Sequence, residues 1–257
     1  MKPRRRTSSS SEDPGPAGIS ASRPTRPGAP EGYNDNPTNK HKAVSRPCVR
    51  EYRLGEEIAN SVSHGVGALL SIAAVVLLIV TAVSHGVGIH LAAALIYGIS
   101  MLFEYLASTL YHALTHEGAK RVFKVLDHSF IYLFIAGSYT PFCLISLADA
   151  GGISLAVFVW AVAITGIALE AFWTFRPRWI SAVIYVLLGW SIVAFLPTLA
   201  QVLPTVGFAL LVVGGLCYTV GAVFYVFKKV PYLHFVFHLF VLAGSIFQFF
   251  VILLYVV

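Results

Sequence analysis

Residues 89–114 read IHLAAALIYGISMLFEYLASTLYHAL. About 20 such residues, rising 1.5 Å each, cross a hydrocarbon core of roughly 30 Å, so this stretch is long enough to span a bilayer. Inside lipid every backbone N–H and C=O must be satisfied within its own segment, which makes the stretch a helix. Working outward, six further stretches meet the same test: Val62–Val83, His128–Leu147, Ile153–Phe175, Trp179–Ala200, Val202–Phe227 and Tyr232–Val257. The expected fold is therefore all-α, a seven-transmembrane helical bundle occupying residues 51–257. Pro141 and Pro197 are expected to kink or end their helices, and Gly214, Gly215 and Gly221 to let helices approach closely.

The loops set a direction. Lys120, Arg121 and Lys124 fall between spans two and three, Arg176 and Arg178 between four and five, and Lys228 and Lys229 between six and seven. The intervening loops carry no Lys or Arg. Positive residues stay inside, so the amino end is expected in the cytoplasm and the carboxyl end outside. The composition agrees, with 57% hydrophobic and 12% charged residues, far more apolar than a soluble domain. The net charge of +6 leaves no basic face for nucleic acid, because 11 of the 18 Lys and Arg lie within residues 1–53 and the rest flank apolar runs. Residues 1–50 begin MKPRRR, lack the apolar core of a signal peptide, and hold few large apolar side chains. They are expected to form a disordered basic tail in the cytoplasm. The expected location is the plasma membrane, with membrane lipids as partners; no sequence feature supports an oligomer. Cys48, Cys143 and Cys217 form no CxxC pair and define no disulfide framework.

Ionisable groups inside spans are costly and usually face the bundle interior. The opening stretch carries Glu104, Ser108 and His112 along one helical stripe. Span three opens with Asp127 and His128, and span seven carries His234 and His238 one turn apart. Orientation from Lys and Arg alone brings His112, Asp127, His234 and His238 to the same membrane face. At 1.5 Å per residue, His112 and His238 both lie roughly 12 to 14 Å in from the loop charges. Three imidazoles with a carboxylate nearby suit Zn2+, which takes three histidines and keeps a fourth position for water in sites that do chemistry. Asp127 is then either a fourth ligand or the general base. Ser108 orients His112 or a substrate carbonyl. Glu57, Asn60 and His64 share one face of the helix entering span one, and either join this polar cluster or cap the inner mouth of the bundle. Glu170 reads as an interfacial partner of Arg176; His85 and His90 lie on the outer side, away from the cluster.

Taken together and in order, Glu57-x-x-Asn60-x-x-x-His64-x-x-Gly67, Ser108-x-x-x-His112, Asp127 and His234-x-x-x-His238 resemble the hemolysin III family, grouped with the progestin and adipoQ receptors that include adiponectin receptors. The resemblance covers roughly residues 51–257 and leaves out the amino tail. It implies a zinc ion held by His112, His234 and His238, with Asp127 reaching it through water and Ser108 behind the ligands. It also links the fold to alkaline ceramidases, which hydrolyse lipid amides.

Three functions compete on this evidence. One is a zinc-dependent hydrolase of lipid amides at the inner leaflet. Another is a pore-forming cytolysin, against which stands the crowding of polar residues at one face instead of along a whole helix. The third is a sensor of membrane or lipid state with no turnover of its own.

Overall fold

The computed structural model describes residues 52–84, 88–174, 176–227 and 230–257. The expected tail at 1–50, with Cys48, and His85, Lys228 and Lys229 in the loops lie outside the described residues. Among the described residues the protein is helical and has no strand. Its helices are α1 (Leu54–Ser84), α2 (Gly88–Ala113), α3 (Glu117–Pro141), α4 (Gly152–Trp173), α5 (Arg178–Gly189), α6 (Leu196–Val202), α7 (Thr205–Val226) and α8 (Leu233–Tyr255). With α5 and α6 joined by the 3-10 turn Ser191–Phe195, these make seven helical segments long and apolar enough to cross a membrane.

Burial is the reverse of a water-soluble fold. Leu69, Val80, Val157, Phe172 and Leu187 point outward, while Glu57, Asn60, His64, Glu104, His112, Asp127, Glu170 and His238 are buried. Apolar faces turned out and polar groups turned in are what a bilayer solvent selects. Around the bundle α1 packs on α2, α2 on α3 and α3 on α4; α5 packs on α7, α7 on α8, and α8 returns to α1. This circuit sets the first turns of α1 and α8 against the last turn of α2, the three segments that carry the histidine motifs.

Two spans start earlier than apolar counting places them. α1 begins at Leu54 instead of Val62, and α3 at Glu117 instead of His128. Lys120, Arg121 and Lys124 are therefore helical residues of α3 and not a loop, and both lysines are buried. Hydropathy rejects this stretch because it counts each charge as exposed to lipid. The ammonium of Lys120 instead meets Glu57 Oε1 at 2.8 Å and donates to the Tyr111 carbonyl at 2.9 Å. The helix is started by His116, whose ring accepts the Ala119 N–H at 3.3 Å.

Both prolines fall where the helix changes. Pro141 ends α3 and the chain continues as a π-helical turn, Phe142–Ser146. Pro197 sits in the first turn of α6, where a missing N–H costs no hydrogen bond. A Cβ on Gly214 would stand 3.0 Å from Gln248 Nε2, and one on Gly221 3.1 Å from Phe240 Cβ, so both allow α7 to close on α8. Gly215 is not needed for close approach: its nearest neighbour would be Trp190 at 3.9 Å.

Candidate metal centre

Two helices, α2 and α8, deliver three imidazoles to one point. The one-turn spacing on α8 puts His234 and His238 on the same face, with their Nε2 atoms 3.2 Å apart. The His112 ring, from the last turn of α2, lies 5.3 Å from that of His234 and 5.2 Å from that of His238, centre to centre. One ring nitrogen from each of the three lies within 4.8 Å of the others.

The surroundings decide which nitrogen each ring offers. His112 Nδ1–H donates to Glu57 Oε2 at 2.6 Å, and the Asn60 amide nitrogen stands 3.5 Å from the same atom. That leaves His112 Nε2 buried with no hydrogen-bond partner. His238 Nδ1–H faces the Asn60 carbonyl and the Ser63 hydroxyl, each at 3.2 Å, while Ser63 Oγ–H donates to that carbonyl at 2.9 Å. Its Nε2 therefore carries the lone pair. A carboxylate or carbonyl on the far nitrogen fixes the tautomer and raises ligand basicity, the usual arrangement behind a metal-bound histidine. His234 stacks on Tyr52 with ring centres 4.8 Å apart. Arg178 closes that side with a hydrogen bond to the Tyr52 hydroxyl.

These residues fit a zinc ion. Neighbouring nitrogens on a tetrahedral zinc, at about 2.0–2.1 Å from the metal, stand roughly 3.3 Å apart. The His234–His238 separation is of that size. The orphaned His112 Nε2 supplies the third donor.

Other expected residues fall at different distances from this point. Glu57 and Asn60 join the cluster directly. His64 joins it by stacking on His238, ring centres 3.6 Å apart and nearly parallel, but its two nitrogens have no hydrogen-bond partner among the described residues. Ser108 is buried one turn before His112 on α2. Asp127 is buried too, yet it is not in the three-residue group, and its electrostatic neighbour is Glu104, two turns along α2 from His112. With α3 starting at Glu117, Asp127 lies inside the helix and does not open the span.

Glu170 pairs with Arg176 at 2.6 Å as expected, and also with His128 Nδ1 at 2.9 Å. Its side chain is fully buried between α3 and the α4–α5 turn. On the other side of the bundle His90 Nδ1 meets the Val257 carbonyl at 3.1 Å.

Tyr52, Ser63, Lys120 and Arg178 lie near the histidines but have no place at the site in the sequence reading, which takes Lys120 and Arg178 only as loop charges. Ser63 has a local signal, since it follows Asn60 by three residues on α1. Tyr52 and Arg178 are brought in by tertiary packing alone.

An elongated cavity of about 160 Å³ runs beside the cluster between α3, α5, α7 and α8. Its wall is mostly apolar, including Ile131, Phe134, Val186 and Val241, with His64 and Glu104 among its few polar residues. None of the three clustered histidines lines it; His64 stands between the cavity and His238.

Comparison with known proteins bears on all of this. Residues 52–249 match the model of a family described as Haemolysin-III related. The chain belongs to this family. Among its relatives, the Hemolysin-3 homolog of Bacillus subtilis (strain 168) is 43% identical over 206 residues, covering 80% of this chain and 97% of that protein. Hemolysin-3 of Bacillus cereus is 45% identical over 201 residues, 78% of this chain and 92% of that protein. The match spans the whole described bundle up to Phe249 and includes every clustered histidine. As a haemolysin III-related chain with seven apolar helical segments, this is an integral, multi-pass membrane protein.

Proposed function

We propose that the protein is a zinc-dependent hydrolase of lipid amides in the plasma membrane, with the histidine end of the bundle and the amino terminus facing the cytoplasm. The observation that carries the reading is the convergence of His112, His234 and His238, with a nitrogen of each within 4.8 Å of the others. These three would hold the metal. A zinc ion so held supplies a Lewis acid that polarises a carbonyl and acidifies water.

The chain's own groups supply the rest. Glu57 and the Asn60 carbonyl keep His112 and His238 in the tautomer that presents Nε2, and Lys120 balances the Glu57 charge. Ser108 offers a hydroxyl to the carbonyl oxygen as negative charge gathers there. Asp127, buried and outside the ligand group, takes the proton from the attacking water and returns it to the leaving nitrogen. The products are a fatty acid and an amine. An apolar cavity next to the cluster suits an acyl chain.

The test is metal analysis of the purified wild type beside His112→Ala and His238→Ala, followed by a panel of lipid amides. One zinc per chain in the wild type, none in either variant, and fatty acid release by the wild type alone are expected. Equal zinc in all three proteins would remove the site, and zinc without any released fatty acid would leave a sensor in place of an enzyme.

Cytolysis is the second reading, and the printed name of the Bacillus cereus relative is what favours it. An oligomeric pore needs polar residues on the outer face of some helix, and here the outward faces carry Leu69, Val80, Val157 and Phe172. Dye release from liposomes that persists in His112→Ala would favour cytolysis over hydrolysis.

A further inference from the structure

Among the described residues the buried glutamates are matched to partners, with one exception. Glu56 accepts the backbone N–H of Arg53 at 3.2 Å and of Tyr232 at 2.8 Å. Glu57 faces His112 and Lys120, and Glu170 faces His128 and Arg176. Glu104 is only 4% exposed, and its Oε2 has no hydrogen-bond partner among the described residues. Its electrostatic neighbour is a second buried carboxylate, Asp127. An unpartnered carboxylate oxygen beside a second carboxylate is expensive within a span, and such groups mark candidate binding sites.

Glu104 also lines the apolar cavity, and so does His64, which is 2% exposed and has both ring nitrogens unpartnered. The two are linked through Tyr105, which follows Glu104 on α2 and meets the His64 ring edge to face at 5.0 Å. The cavity wall thus offers a carboxylate oxygen and an imidazole nitrogen as acceptors. Most of the remaining wall is apolar, with Ser138, Thr219 and Gln248 among the exceptions, and it extends along α3 from Ile131 to Phe142, roughly 16 Å at 1.5 Å per residue.

We propose that Glu104 and His64 form a second binding site, separate from the three-histidine centre, for the ammonium group of a long-chain amine whose tail fills the cavity. Charge and donor count select this class. A hydroxyl has one proton to donate and leaves the carboxylate charge unbalanced. A carboxylate head repels Glu104 and Asp127. An ammonium donates to both acceptors and supplies the missing positive charge. The proposal does not rest on zinc or on hydrolysis.

Calorimetric titration of the full chain in lipid nanodiscs, with empty nanodiscs subtracted, tests it using octylamine, octanol and octanoate as probes. Octylamine is expected to bind the wild type roughly tenfold or more tightly than octanol, with octanoate weakest. Glu104→Gln keeps the shape of the side chain and is expected to bring octylamine down to the level of octanol. His112→Ala removes a proposed metal ligand and is expected to leave octylamine binding unchanged, so this proposal and the metal reading fail separately. Equal binding of octylamine and octanol by the wild type, a comparison that needs no variant, would overturn the proposal. So would unchanged binding in Glu104→Gln, or its loss in His112→Ala, which would place the amine at the histidine centre.

Discussion

Glu57 Oε2 lies 2.6 Å from Nδ1 of His112, and the other oxygen of the same carboxylate lies 2.8 Å from the ammonium of Lys120. One side chain at the start of α1 thereby orients an imidazole from α2 and neutralises a lysine from α3. Glu57→Gln should lower zinc affinity by about 10- to 100-fold, the usual cost of losing a partner behind a metal ligand. Competition against a fluorescent chelator measures it.

The same triangle has a stability consequence. Glu57→Ala leaves Lys120 buried without its counter-charge, a change that costs about 3–5 kcal/mol. Glu57→Ala combined with Lys120→Met removes both charges and should recover most of that loss. A thermal melt of the two variants in detergent orders them, and the double variant should melt higher.

Metal removal should act like ligand removal on any folded protein. If the three histidines hold zinc, chelation lowers the melting temperature of the wild type, and restoring zinc recovers it. His238→Ala should melt at the same temperature with or without chelator. A wild-type melt indifferent to chelator would speak against bound metal.

Gly67 on α1 is a packing requirement of the bundle. A Cβ there would lie 2.5 Å from the Tyr105 ring, whose hydroxyl donates to Ser245 at 2.7 Å on α8. Gly67→Val should therefore destabilise the bundle by about 1–3 kcal/mol through overpacking. Tyr105→Leu in the same chain should relieve part of it, and a double-mutant cycle reads the coupling.

Topology is open to a direct assay. With Cys48, Cys143 and Cys217 replaced, Asp149→Cys should react with an impermeant maleimide on intact cells, because the exposed turn Ala148–Ala150 lies at the end opposite the histidines. Glu117→Cys, exposed at the start of α3, should react only after permeabilisation. The reverse pattern would invert the proposed orientation.

Much of the bundle was readable from the chain because lipid imposes a simple rule, and long apolar runs obey it. The number of spans followed from that rule, and the loop charges brought His112, Asp127, His234 and His238 of the second, third and last spans to one end, while the sequence leaves open whether Glu57, Asn60 and His64 join them. The early starts of α1 and α3 did not, since the rule assumes that no charge enters the membrane unescorted. Lys120 enters with Glu57 waiting for it, and no single-segment reading can see a partner on another helix. The position of Asp127 was misjudged for the same reason: once α3 is lengthened at its start, Asp127 moves away from the helix end and beside Glu104. The one-turn spacing of His234 and His238 was legible because it is local, whereas Tyr52 and Arg178 reach the cluster only through tertiary contacts.

The ring of His64 divides the interior into two rooms. The apolar cavity lies on one side of that ring, and the nitrogens of His112, His234 and His238 lie beyond it, with Tyr52 stacked on His234 and held by Arg178. An ion and a lipid would then sit in separate rooms, one on each side of a single imidazole. Loading one room need not empty the other, and a single swing of one imidazole would be enough to join them.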